Sequence, residues 1–216
     1  MTPAFYSSLK LGILGGGQLG RMLLQACADY SVETWVLDPD PDAPARPFAH
    51  RFVCDSFRDP LMVLEFGRQV DVLTLEIEDV ATEALFLLEA EGHTVHPSAS
   101  VVYTIQDKGK QKLFFQREGI PTADFVLVDG KQQLLQFADR LPAILKLRRG
   151  GYDGRGVMRL DSVADLEAAF EGPSVLEQRV DIAHEISVVA ARNAHGQTSV
   201  YPAVDMVFDP VRNLVQ

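Results

Sequence analysis

Cysteine is scarce. The 216 residues hold two, Cys27 and Cys54, too few for a disulfide framework and without metal-ligand spacing. A reducing, cytoplasmic setting is the expectation. Positive charge is also in short supply, with 20 Lys and Arg against 30 Asp and Glu for a formal net charge of -10. A broad nucleic-acid surface is not expected, because a run of backbone phosphates would meet too little countercharge. No apolar run approaches the roughly 20 residues that cross a bilayer. The opening MTPA lacks the charged and apolar regions of a signal peptide. No membrane partner is expected. Internal repeats and low-complexity tracts are missing as well, which leaves an ordinary globular chain with 47% hydrophobic residues and a substantial core.

Against that acidic background one stretch stands out, ILKLRRGGYDGRGVM at residues 144–158. An apolar strand ending near Lys146 runs into a loop with Gly150, Gly151, Gly154 and Gly156, flanked by Arg148, Arg149 and Arg155. Glycine lets the backbone approach a ligand closely and point successive N–H groups the same way, which suits phosphate oxygens. A hairpin with a solvated tip fits the glycines equally well. It does not explain Lys146, whose ammonium lies within an otherwise buried strand and must either snorkel or meet an anion.

Earlier in the chain, residues 9–14 read as a strand. The run GGGQLG follows at residues 15–20, then a helix with Leu19, Met22, Leu23, Ala26, Cys27 and Tyr30 on one face. Gly15, Gly17 and Gly20 fit G-x-G-x-x-G, and a second strand over 32–38 ends in Asp38, where a dinucleotide site carries its ribose acceptor. Pro39, Pro41, Pro44 and Pro47 make an unusual exit for such a site. Further strands are expected over 51–54, 72–75 and 94–95, with helices over 60–68 and 82–91, so the alternation predicts a parallel sheet. Glu76 and Glu78 follow the fourth strand, where open α/β sheets collect ligands; exposed acids of a strand-to-helix connection would look the same.

Two helices over 98–105 and 107–118 come next, with Lys108, Lys110 and Lys112 read as mostly solvated. A smaller unit follows, with strands over 124–128, 143–147, 157–160 and 174–178 and helices over 131–140 and 162–170. Residues 185–192 and 198–204 read as paired strands joined by a turn at 193–196. The expected division is a Rossmann-like domain at 1–97, a helical linker and lid at 98–180, and the start of a further domain at 181–216. The abrupt end, with no capped helix or polar tail, reads as a protein whose further part is missing here or whose sheet another chain completes.

Taken in order, ILGGGQLGRM (13–22), TLEIE (74–78), QDK (106–108), QK (111–112), GIP (119–121) and GGYDGRG (150–156) resemble one family, the N5-carboxyaminoimidazole ribonucleotide synthetases of the ATP-grasp superfamily. The resemblance implies an α/β chain: a Rossmann-like first domain that binds no dinucleotide, a small α+β lid, and a catalytic domain begun here. It also implies a ligase that uses ATP and Mg2+ to join bicarbonate to 5-aminoimidazole ribonucleotide through carboxyphosphate in purine biosynthesis, as a cytoplasmic homodimer. ATP contacts carried over are Lys108, Lys146, Gly151, Tyr152, Asp153, Gly154, Arg155, Gly156 and Val157, with Glu177, Gln178, Arg179 and Val180 at the adenine and Glu185 at the ribose. Gln18, Leu19, Glu76, Tyr152 and Arg155 resemble the ribonucleotide contacts, and Tyr152, Asp153 and Arg155 flank the expected carboxyl-transfer centre.

The sequence departs from the family pattern at Asp79, Asp205, Met206 and Phe208. The magnesium ligands are expected beyond residue 216, so no metal ligand is assigned and the 216 residues alone are expected not to turn over. Two other enzyme readings stay open, a formate-dependent or other ATP-grasp ligase, and a nicotinamide-dependent oxidoreductase using Gly15, Gly17, Gly20 and Asp38. A non-enzymatic binding module gives Lys146 no reason for its position.

Overall fold

The computed structural model describes residues 9–151, 155–209 and 214–215. The first half alternates strand and helix: β1 (Lys10–Leu14), α1 (Gln18–Ala28), β2 (Glu33–Leu37), β3 (Arg51–Val53), α2 (Pro60–Gly67), β4 (Val72–Leu75), α3 (Thr82–Ala90) and β5 (Thr94–Val95). The strands lie in the order β3-β2-β1-β4-β5, and every pairing is parallel. Strands of such a sheet are covered on both faces and read as continuous apolar runs. Leu14, Leu37 and Leu73 meet Phe66, Leu85 and Leu88 on one side, while Ile13 and Val36 meet Leu24 of α1 on the other. α2 starts where expected because Asp59 accepts a hydrogen bond from the Leu61 N–H at 2.9 Å and Pro60 has no N–H to leave unpaired.

The inward face of α1 differs from the expected one. Gly20, Leu24 and Cys27 are buried, whereas Leu19, Met22 and Tyr30 are 65%, 61% and 75% exposed. The helix leaves the glycine turn at Gln18 with Gly20 against the Gly15 carbonyl, where even a Cβ would come to 3.0 Å. That contact sets the rotation of every later residue.

After α4 (Ala99–Ile105) and α5 (Lys108–Arg117), a second sheet forms from β6 (Phe125–Val128), β7 (Ala143–Leu147), β8 (Val157–Leu160) and β9 (Ser174–Gln178). Its order is β6-β9-β7-β8 and all pairs are antiparallel. The intervening helices are shorter than expected. α6 (Lys131–Leu134) passes into a 3-10 segment, Leu135–Arg140, and the second is the 3-10 segment Val163–Ala168. Leu134 and Phe137, with Leu166 and Ala169, pack onto the same sheet face as Val128, Ala143, Leu145, Leu160 and Leu176.

On the opposite face α5 lies against β9, where Val175 is buried, and the β7 side stays partly exposed at Lys146. Successive strand residues point to opposite faces, so Ile144 and Lys146 of β7 and Glu177 of β9 lie on the side away from the 3-10 turns. Residues 185–204 form two separate ladders: β10 (Ile186–Ser187) with β13 (Val204–Asp205), and β11 (Ala190–Arg192) with β12 (Thr198–Val200). Pro202, between the two ladders, has no N–H to extend either.

Candidate functional site

In the first sheet β1 has β2 on one side and β4 on the other. The chain order reverses between β1 and β4, and their carboxyl ends open the crevice where ligands of such sheets bind. The glycine turn after β1 fills it with a side chain of the protein itself. A Cβ on Gly15 would lie 2.6 Å from Glu76 Oε2, and one on Gly17 would lie 2.7 Å from Oε1. The glycines make room for this carboxylate. Gly15 also sits at φ +97°, where a side chain is strained. Gly15→Ala is expected to lower the unfolding free energy by roughly 1–3 kcal/mol, read as a lower denaturant midpoint at unchanged slope.

Asp38 is 9% exposed and its carboxylate accepts from the Gly16 N–H at 2.7 Å and the Asp40 N–H at 2.8 Å. The Ala45 N–H closes the same turn on the Gly16 carbonyl at 2.9 Å. This corrects the nicotinamide reading. Asp38 is buried in bonds to backbone, and the proline-rich segment lies against the turn that a pyrophosphate would need.

The second site element is the face of the antiparallel sheet turned away from the 3-10 segments. Lys146 Nζ donates to Glu177 Oε2 at 2.8 Å, and Lys112 Nζ of α5 lies 3.3 Å from Glu177 Oε1. Lys112 also donates to Thr122 Oγ1 at 2.6 Å and to the Ala123 carbonyl at 3.3 Å. The expectation that the α5 lysines are mostly solvated is corrected here: Lys112 is 7% exposed. Its charge was visible in the sequence. Its acceptor was not, being 65 residues further along.

The glycine-rich loop springs from the end of β7. The Leu147 N–H donates to the Gly156 carbonyl at 2.8 Å, and a Cβ on Gly151 would meet the Arg155 carbonyl at 2.7 Å. Two backbone segments therefore run side by side at a separation only glycine allows. Lys108 Nζ donates to the Gly151 carbonyl at 3.1 Å.

Beneath the loop, Arg148 forms a bidentate pair with Asp107, Nε to Oδ1 at 2.8 Å and Nη2 to Oδ2 at 2.7 Å. Asp107 also caps α5, accepting from the Gly109 and Lys110 N–H groups, and the Lys108 N–H donates to the Arg148 carbonyl at 2.9 Å. Burial pushes the Asp107 carboxyl up, but the Arg148 hydrogen bonds, the two backbone donors and the Arg148 charge together hold it below the ordinary aspartate value. Sequence reading treated Arg148 as loop charge and did not single out Asp107.

Between the two elements lies a cleft of about 570 Å³ lined by Arg58, Ile77, Glu78, Asp79, Gln106, Lys108, Arg149, Gly150 and Gly151. The Gln106 amide fixes one wall by donating to the Glu78 and Val80 carbonyls, both at 2.7 Å. Lys108 and Gly151 thus share a cleft with the residues just after Glu76. Gln18 and Leu19 start α1 at the neighbouring glycine turn, both exposed.

Val157 opens β8 with 43% exposure, and Arg155 is exposed just before it. Tyr152, Asp153 and Gly154 lie outside the described residues. Glu177 and Gln178 are inside the ladder, with the Gln178 N–H on the Asp124 carbonyl at 2.8 Å, while Arg179 and the exposed Val180 follow the last rung. Glu185 is exposed and its carbonyl accepts from the Met206 N–H at 2.8 Å.

Two family models match in tandem: a ribonucleotide synthetase pre-ATP-grasp domain over residues 8–106 and an ATP-grasp domain over 113–209. The chain is 38% identical over 205 residues to the N5-carboxyaminoimidazole ribonucleotide synthase of Brucella melitensis, covering 91% of this chain and 56% of that one. Over most of its length the chain is 30–38% identical to N5-carboxyaminoimidazole ribonucleotide synthases, and it carries a pre-ATP-grasp and an ATP-grasp domain in tandem.

Among solved structures, the N5-carboxyaminoimidazole ribonucleotide synthetase from Thermotoga maritima aligns with TM-score 0.84 at 34% identity, over 92% of this chain and 53% of that one. The N5-carboxyaminoimidazole synthase of Aspergillus clavatus, in complex with ADP and 5-aminoimidazole ribonucleotide, aligns with TM-score 0.83 at 30% identity, over 94% and 55%. The chain thus spans about half the length of the synthetases it matches. The expected α/β class, a Rossmann-like domain ahead of ATP-grasp elements, is the one found. Among the described residues no group of three or more His, Cys, Asp or Glu is placed to hold a metal ion. Nor, among them, is any helix long and apolar enough to cross a membrane.

Proposed function

We propose that the full-length protein is an ATP-dependent carbon–nitrogen ligase that carboxylates 5-aminoimidazole ribonucleotide with bicarbonate to N5-carboxyaminoimidazole ribonucleotide. The observation that carries this reading is the partly exposed Lys146 on the sheet face away from the 3-10 segments, beside a glycine-rich loop, with a cation in excess over the carboxylate it meets. ATP would lie along that face. Its phosphates would meet Lys146, Lys108 and the backbone of 151–157, where charge-assisted bonds are the strongest available. Glu177, Gln178, Arg179 and Val180 would hold the adenine side and Glu185 the ribose.

Transfer of the γ-phosphoryl group to a bicarbonate oxygen would release ADP and give carboxyphosphate. The exocyclic amine of the ribonucleotide would then attack the carboxyl carbon, form the carbon–nitrogen bond and expel phosphate. Gln18, Leu19 and Glu76 at the switch point, with Tyr152 and Arg155, would position the ribonucleotide, and Asp153 would stand with them at the carboxyl-transfer centre. Preorganised donors aimed at the developing charge are what the loop would contribute to the rate. Purine biosynthesis as the setting, bicarbonate as the carbon source, a Mg2+ requirement met outside the described residues, cytoplasmic location and homodimeric assembly belong to the same proposal.

A product assay on the full-length protein decides it. ADP release and carboxylated product should both require the ribonucleotide and bicarbonate. Product that forms at an undiminished rate with formate in bicarbonate-free buffer would replace this ligase with another of the same superfamily.

A further inference from the structure

Lys112 and Lys146 both meet Glu177, but their hydrogen bonding sets them apart. Lys112 is 7% exposed; its ammonium donates to Thr122 Oγ1 and the Ala123 carbonyl and forms an ion pair with Glu177 Oε1 at 3.3 Å. It also lies 5.5 Å from the centre of the Phe125 ring. Among the described residues Lys146 has one acceptor, Glu177 Oε2, and its side chain keeps 32% of its exposure. Several protein groups hold Lys112, whereas among the described residues Lys146 is held by Glu177 alone. With one carboxylate between two ammonium groups, the cluster carries a surplus positive charge on this face of the sheet.

We propose that Lys112 is a positioning residue that serves as the permanent countercharge of Glu177, so that Lys146 can exchange Glu177 for a nucleotide phosphate on binding. Without Lys112, a departing Lys146 would leave the Glu177 carboxylate buried and uncompensated, which is costly. Lys146 would then stay on Glu177, and phosphate affinity would fall although no phosphate contact had been removed. The inference rests on the ATP reading above and adds a residue that touches no part of the nucleotide.

Titration calorimetry with ADP on the full-length protein tests it. Lys112→Met should weaken ADP binding by roughly 5- to 150-fold, the usual span of a coupling between two sites. Lys112→Arg, which keeps the charge, should stay within a few-fold of wild type. With Glu177→Gln alone as the reference, since the ATP reading places that residue at the adenine, adding Lys112→Met should cost little further ADP affinity, because the amide holds no charge for Lys146 to guard and still accepts a hydrogen bond.

A merely structural role for Lys112 predicts the same loss in both backgrounds. Wild-type affinity in Lys112→Met, or an undiminished loss when it is added to Glu177→Gln, would overturn the proposal. Should Lys112→Met fail to fold, the double variant is compared with Glu177→Gln alone. Equal ADP affinity supports the proposal, and a further loss on removing Lys112 sinks it. A wild-type protein that binds no ADP would instead refute the ATP reading itself.

Discussion

Lys146→Met in the full-length protein is expected to lower kcat/KM for ATP by about 10- to 150-fold while leaving the fold intact. A charge-assisted hydrogen bond to phosphate contributes roughly 1.5–3 kcal/mol, and each 1.4 kcal/mol is a factor of ten. The fold should survive for two reasons. Glu177 keeps its second cation, since Lys112 is 3.3 Å from Oε1. The methionine also retains the apolar stem of a residue that is already one-third exposed, so no cavity opens in the core beneath Leu145. Steady-state kinetics with ATP varied, alongside a thermal melt, separates the two effects. An unchanged kcat/KM would remove Lys146 from the chemistry.

The largest effect on stability is expected at Asp107. This carboxylate is the N-cap of α5, the partner of Arg148 at the end of β7 and a neighbour of Arg149 at 3.7 Å, with its own side chain 6% exposed. Asp107→Ala removes the cap and leaves Arg148 without its countercharge. Breaking a buried pair by deleting one partner costs on the order of 3–5 kcal/mol; because Arg148 keeps 24% of its side-chain exposure, a value near the lower end, about 3 kcal/mol, is expected. Asp107→Asn keeps one accepting oxygen for the helix cap and should cost less.

The pH dependence follows from the sign of the shift. The Asp107 carboxyl is depressed in the folded state, so its stabilisation is fully present above the unfolded value near pH 4. It is lost as pH falls from there through the folded value. Urea denaturation of wild type and Asp107→Ala should therefore give a constant gap at neutral pH that narrows below about pH 4. A gap independent of pH down to the acid transition would show that the ion pair is not its source. Function should suffer too, because the Lys108 N–H is held on the Arg148 carbonyl and the Lys108 ammonium on the Gly151 carbonyl.

Much of this was legible in the chain itself. Alternating apolar runs and capped helices specify a parallel sheet because burial on both faces demands continuous hydrophobic strands, and β1, β2 and β4 read that way directly. Glycines at 150–156 and a lysine in an apolar strand raise the expectation of a phosphate loop; in the fold that lysine meets an anion of the protein itself, Glu177. The ordered motifs carried the resemblance to the synthetases. Local pattern was a poorer guide to helix rotation, as α1 shows, because a single close contact at Gly20 turns the whole face.

Tertiary structure alone decided which charges meet. Glu177 lies 31 residues from Lys146 and 65 from Lys112, and Asp107 lies 41 residues before Arg148. Periodicity reports only neighbours along one element, so it cannot register such pairs. The same limit applied to the first glycine motif. The sequence spaces Gly15, Gly17 and Gly20 as a dinucleotide loop would, yet the space beneath them holds the Glu76 carboxylate, and Asp38 turns inward to the Gly16 N–H. Composition and periodicity determined the elements and their layers, because those depend on burying apolar surface; the partners of the buried ions emerged only once β4, α5, β7 and β9 were brought together, because an ion pair depends on distance in space.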